Sequence, residues 1–211
     1  SIRARAQFLD ADAGEGNTAR IVGWSLGAIA SIVGIILFGL PLVADRLAQV
    51  VPYWLEQRYG DVADRQVKTI FGSNVCTNPK GSAALEKLVE KLRVAGNLTA
   101  PMQTVAIRTF IPNALALPGG RVYLLSPILQ RANSVDELAG VVAHELGHLA
   151  HRDHLRGLIQ NAGTSYLVGL LYGDVMGSSA VLFATRTLLQ QSYSRDKEAQ
   201  ADAFAADVML K

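Results

Sequence analysis

From Ile21 to Ala44 the chain carries no charged side chain, and Arg20 and Asp45 bracket this run of 24 residues. A helix of that length spans the roughly 30 Å hydrocarbon core of a bilayer. The run is read as a single membrane crossing, with the lipid bilayer as a partner; a buried core helix is the alternative. A secretory signal peptide fits less well, because the apolar stretch exceeds a usual signal core and follows about twenty residues of mixed charge. Trp24 near one end, and Tyr53 and Trp54 beyond the other, suit the two membrane interfaces. Gly23 and Gly27 form a GxxxG pair, which in a glycine-rich apolar helix is weak support for dimerisation and leaves the oligomeric state open. Arg3, Arg5 and Arg20 on one side balance Arg46, Arg58 and Arg65 on the other, so charge does not set the orientation.

The 211 residues leave room for one compact domain beside such an anchor. A net charge of +2 with no clustered Lys or Arg argues against a nucleic-acid partner. The single cysteine, Cys76, excludes an intrachain disulfide framework and any multi-cysteine metal site.

Residues 1–20 lack apolar periodicity and read as an extramembrane arm, followed by a transmembrane helix over 21–44 and a juxtamembrane connector over 45–74 with a helix around Val62 to Phe71. The rest, 75–211, reads as one domain. Asn78 and Pro79 start a helix that buries Leu85, Leu88, Val89 and Leu92, and Gly96 with Asn97 ends it. Thr104 to Phe110 reads as a strand. Two shorter strands, Ala114 to Leu117 and Arg121 to Leu125, flank a Pro118-Gly119-Gly120 turn. Ser134 and Glu137 form a capping box that opens a further helix.

That helix carries the sequence His144-Glu145-Leu146-Gly147-His148. Residues four apart share a helix face, so the two imidazoles can converge on one metal ion with Glu145 beside them. Leu138, Val142, Leu146 and Leu149 form an apolar stripe roughly opposite, which buries the back of the helix and turns the histidines to a cleft. Neutral imidazole suits zinc, and three protein ligands leave a fourth position for water, with Glu145 placed as general base. All four histidines, at 144, 148, 151 and 154, fall within eleven residues, which strengthens a motif that chance also produces.

Two residues compete as third ligand. His154 occupies the position of a third histidine in HExxHxxGxxH, but His151 stands where that pattern needs glycine to end the helix. Met176 offers only a weak Met-turn. Glu198 is the favoured candidate: with Asp202 it forms an ExxxD pair on one helix face, so Glu198 can bind metal while Asp202 orients a ligand histidine. Ala199, Ala201, Ala203, Ala205 and Ala206 keep that helix slim enough for close approach.

Three ordered blocks carry a resemblance: NALALPGGRVYLL at 113–125, ELAGVVAHELGHLAH at 137–151 and SRDKEAQAD at 194–202. Over residues 75–211 the chain resembles the HtpX-like metallopeptidases, the gluzincin family that includes the CAAX prenyl proteases and the Oma-type and BepA-type enzymes. The resemblance implies an α+β, mainly helical fold: a zincin-like peptidase domain with a small sheet and an HExxH helix, preceded by one transmembrane helix. It implies one Zn2+ per chain on His144, His148 and Glu198, with Glu145 as base and Asp202 behind a ligand. It also places the strand Ala114 to Leu117 beside the cleft, which gives Asn113 and Ala114 a role in holding protein or peptide substrates. The implied activity is endopeptidase action on misfolded or membrane-associated proteins, in a bacterial inner membrane with a periplasmic domain; a mitochondrial intermembrane-space enzyme fits the same physics. A chaperone-like or scaffold module that keeps the metal is the rival. In the relatives, membrane helices occupy the stretch before ExxxD, whereas Gly157 to Thr185 here is apolar but broken by Asp174 and five glycines and reads as packed or membrane-apposed helices. Relatives also supply a basic side chain after ExxxD, so the chain is expected to be a fragment, with Tyr193 the local alternative.

Overall fold

The computed structural model describes residues 2–171 and 194–211, and side chains over 18–167 and from 194 onward. Met176, Tyr193 and the later part of the Gly157 to Thr185 stretch lie outside the described residues. Helix α1 spans Ile2–Gly34 and passes through a π-helical turn, Ile35–Gly39, into α2, Leu40–Val50. The helix therefore runs back through residues 2–20; Gly14 and Gly16 each cost it only about 1 kcal/mol of propensity. Pro41 accounts for the π turn. It has no N–H to offer Leu37, its ring crowds that carbonyl, and the Leu40 N–H reaches back five residues to Ile35 instead. The helix stops where Val51 becomes extended ahead of Pro52. Residues Thr18–Val50 are long and apolar enough to cross a membrane.

Helix α3 spans Tyr53–Phe71, nine residues longer at its start than the apolar pattern suggested. Helix α4, Pro79–Ala95, begins as expected, with the Asn78 side chain accepting from the Lys80 and Gly81 N–H groups. Strands β1 (Gln103–Ile107), β2 (Ala114–Leu117) and β3 (Arg121–Leu125) form one sheet in the order β1-β3-β2. β1 runs parallel to β3, and β2 pairs with it antiparallel, Leu115 facing Tyr123. β1 ends at Ile107, short of the expected Phe110, whose ring is fully exposed. The hairpin turn needs its glycines, since Gly119 and Gly120 sit at φ 78° and 85°.

Because side chains alternate along a strand, the sheet has two apolar faces. Ala114, Ala116, Val122 and Leu124 pack against Val89 and Leu92 of α4 and against Val142, Ala143 and Leu146. Ile107, Leu117, Tyr123 and Leu125 pack against Ala63 and Val67 of α3. The architecture is thus α3, sheet and a helical layer, α+β and mainly helical. After the short α5, Ser126–Arg131, come α6 (Val135–Ala150), α7 (Asp153–Leu171) and α8 (Arg195–Met209). Ser134 accepts from the Glu137 N–H at 3.1 Å, and Glu137 reaches back to the Asn133 N–H at 2.8 Å, one residue earlier than the usual box.

Candidate metal centre

Helix α6 carries His144, Glu145 and His148, and α8 carries Glu198 and Asp202. The two helices touch at Gly147. A Cβ there would lie 2.9 Å from the Ala201 Cα, so only glycine against alanine lets the axes come this close. The approach brings Glu198 Oε2 within 3.4 Å of His144 Nε2 and Oε1 within 3.9 Å of His148 Nε2. The ligand atoms of His144, His148 and Glu198 all lie within 4.8 Å of one another. Atoms bound about 2.0–2.1 Å from a tetrahedral zinc sit roughly 3.3 Å apart, so this donor set fits such an ion with a slight contraction.

Each imidazole is held from behind. Asp202 Oδ1 lies 2.8 Å from His144 Nδ1, and Asp153 Oδ2 lies 3.0 Å from His148 Nδ1. A carboxylate only accepts, so both Nδ1 atoms carry the proton and both Nε2 lone pairs face Glu198. The sequence reading paired Asp202 with a ligand histidine but missed Asp153, which is fully buried at the start of α7. The available signal was that two metal-facing histidines call for two partners.

Glu145 sits between the histidine pair and the sheet. Its Oε2 accepts the Ala116 N–H of β2 at 3.2 Å. Burial pushes its carboxyl up to about 7, against the opposing pull of His148, the Ala116 N–H and His144. A carboxyl in that range exchanges protons near neutrality, which suits a general base.

His154 is buried at the base of α7, its ring centroid 6.4 Å from that of His148. Burial, reinforced by His148, holds its imidazole down to about 4. It is not among the converging ligand atoms, whereas Glu198 is. The helix does end at His151, without glycine: His151 remains right-handed, and Arg152 takes the left-handed conformation at φ 55°. Asn113 lies just before β2, its carbonyl accepting the Leu125 N–H at 3.0 Å, and Ala114 is the first residue of the strand.

A helix-borne histidine pair with an intervening glutamate, closed by a carboxylate from a second helix, defines the class of single-metal HExxH peptidases. The chain belongs to peptidase family M48, whose profile matches residues 79–211. It is 32% identical over 181 residues to a protein named "Protease HtpX homolog" from Acidiphilium cryptum, covering 75% of this chain and 59% of that protein. The "Mitochondrial metalloendopeptidase OMA1" of Schizosaccharomyces pombe is 27% identical over 194 residues, 88% of this chain and 57% of its own length. A "Putative beta-barrel assembly-enhancing protease" of Vibrio cholerae is 28% identical over 165 residues, 72% of this chain and 34% of its own. The chain thus spans well under two thirds of the length of these relatives.

Proposed function

We propose that this chain is the core of a membrane-anchored, zinc-dependent endopeptidase that cuts misfolded or membrane-associated proteins. The observation that carries the reading is the convergence of His144, His148 and Glu198, with Glu145 beside them. When bound, a zinc ion would supply a Lewis acid for the scissile carbonyl and lower the pKa of water to about 7. His144, His148 and Glu198 would hold it, with Asp202 and Asp153 fixing the two rings. Glu145 takes a proton from the attacking water and delivers it to the leaving amine.

The outer edge of β2 suits an extended substrate. Asn113 and, by alternation, Leu115 and Leu117 spend their main-chain groups on β3, so those of Ala114 and Ala116 point outward. The Ala116 N–H is taken by Glu145 and Ala116 is fully buried, so the main-chain groups of Ala114 are the edge a peptide strand would pair with, Asn113 flanking it. Residues 75–211 form the peptidase domain on this reading, 21–44 the membrane crossing, and a bacterial inner membrane with the domain in the periplasm the favoured setting.

The test is Glu145→Gln in the full-length protein. The variant is expected to keep one zinc per chain and to lose about 10²- to 10⁴-fold in cleavage of an unfolded protein such as casein. Undiminished cleavage would overturn the mechanism, and a parent that binds zinc yet cuts nothing would favour a binding module. Glu198→Ala is expected to lower zinc content and His154→Ala to leave it; the reverse would reinstate His154 as ligand.

A further inference from the structure

A chain of charges joins the end of the apolar helix to the metal-facing His148. Asp45, the first charged residue after the uncharged run, sits on α2 with its Oδ1 3.4 Å from Arg156 Nε on α7. Arg156 Nη1 lies 3.6 Å from Asp153 Oδ1, and the other oxygen of Asp153 accepts from His148. We propose that Arg156 is a positioning residue: it locks Asp153, and through it the His148 ring, to the membrane anchor, which makes the anchor a working part of the metal centre. The proposal rests on the reading of His148 as a metal ligand.

The geometry leaves Asp153 dependent on Arg156. The carboxylate is fully buried, and a buried charge needs a compensating one. Among the described residues its Oδ1 makes no hydrogen bond. With only Oδ2 engaged, the carboxylate can swing about its last torsion and slide off His148. The guanidinium one turn along α7 lies 3.6 Å from Oδ1, an ion pair without a hydrogen bond, and its charge favours the orientation that keeps Oδ2 on His148. Lys197, the residue before Glu198 on α8, lies within electrostatic reach of both Asp153 and Asp45. Three helices therefore converge on one cluster of two acids and two bases behind the site.

The outer end of the chain is itself fixed, which lets it transmit position. Ala44 and Ala48 of α2 are fully buried, and Gly163 of α7 leaves room for Leu40. Arg152 donates to the carbonyls of Ala48 and Val51 at 2.8 and 3.0 Å. Asp45 is thus held against α7 by packing on both sides. An ion pair loose at both ends contributes little. This one is anchored at one end and terminates on a buried imidazole at the other.

The test uses the full-length protein in nanodiscs, with zinc affinity from chelator competition and the visible spectrum of the cobalt-substituted form. Arg156→Met is expected to lower zinc affinity about tenfold, the low end of what an outer partner of a ligand is worth, and to alter the cobalt spectrum. In peptide cleavage kcat falls while KM holds, and Arg156→Lys recovers most of the loss. Asp45→Asn, at a half-exposed position, is expected to lower affinity by less than Arg156→Met does, with Asp45→Glu restoring it. Zinc affinity and cobalt spectrum unchanged in Asp45→Asn, and in Arg156→Met where that variant folds, would overturn the proposal. His148→Ala separates the two levels. If it binds zinc as tightly as the parent, the ligand assignment fails and the bridge with it; if it loses zinc while Asp45→Asn keeps the parent's affinity and cobalt spectrum, the bridge alone fails.

Discussion

Asp202 and Asp153 do the same job for His144 and His148 from opposite environments. Asp202 stands on the outer part of α8 and is exposed, so removing it exposes one imidazole nitrogen to water and little else. Asp153 is sealed in, facing Arg156 as well as His148. Asp202→Ala is therefore expected to lower zinc affinity about ten- to hundredfold while leaving the thermal unfolding of the metal-free protein unchanged. Asp153→Ala should lower both, because it removes the buried acceptor of His148 and leaves Arg156 with Asp45 as its one remaining ion-pair partner among the described residues. Chelator competition and melting curves on the two metal-free variants read the two effects apart. The contrast also explains what could be read from sequence. Asp202 is legible because ExxxD repeats the four-residue spacing of a helix face. Asp153 follows His148 by five residues across a helix end, where Arg152 turns left-handed and periodicity says nothing about direction.

Strands β2 and β3 have the boundaries their alternation and the Pro-Gly-Gly turn imply, because turn chemistry and pleat are both local. Helix α3 is only half legible. Pro52 followed by Glu56 in the first turn marks its start, but the apolar pattern becomes clear only near Val62. Its docking depends on pairs far apart in sequence: Arg121 donates to Asp61 at 2.6 Å, and the Tyr123 hydroxyl donates to Asp64. Burial alone would raise the Asp64 carboxyl, but hydrogen bonds from Lys68 and Tyr123, with Arg121 nearby, hold it below the usual carboxylate range. A depressed folded value means the stabilisation is present above the unfolded pKa of about 3.9 and is lost as pH falls through the folded value. Asp64→Asn is thus expected to lower the urea midpoint at neutral pH and to flatten its decline in acid; an acid limb as steep as the parent's would assign that decline elsewhere. The α6–α8 contact makes a second prediction at this scale. Gly147→Val forces β-branched atoms into Ala201, an overpacking cost of about 1–3 kcal/mol that α8 can relieve only by moving Glu198 off the histidines. Zinc affinity should fall in the variant even at temperatures where circular dichroism reports a folded protein.

Across the whole molecule, the feature least visible in sequence is that the apolar helix is docked on the domain. Its composition gives length and hydropathy, but the partners of its carboxyl end lie about a hundred residues away, beyond the reach of any local signal. Arg152 makes the point quantitatively. It holds a left-handed backbone, which costs a non-glycine residue about 1 kcal/mol, and glycine is the residue that relieves it. Its Nη1 also lies 2.8, 3.3 and 3.0 Å from the carbonyls of Ala48, Gln49 and Val51, where α2 runs out of partners of its own. One nitrogen has two hydrogens, so at most two of these bonds are well made, each worth about 1.5–3 kcal/mol with a charged donor. The guanidinium further opposes the negative end of the α2 dipole and sits 3.4 Å from Glu56. Loss exceeds relief, so Arg152→Gly is expected to destabilise the protein by about 2 kcal/mol or more. Asn97→Gly, at the second left-handed non-glycine position among the described residues, just past the end of α4, should hold or raise stability. If Arg152 were only an awkward turn residue, both substitutions would raise the melting temperature in detergent micelles. Opposite signs would show that the turn after the metal helix is strained in order to hold the anchor.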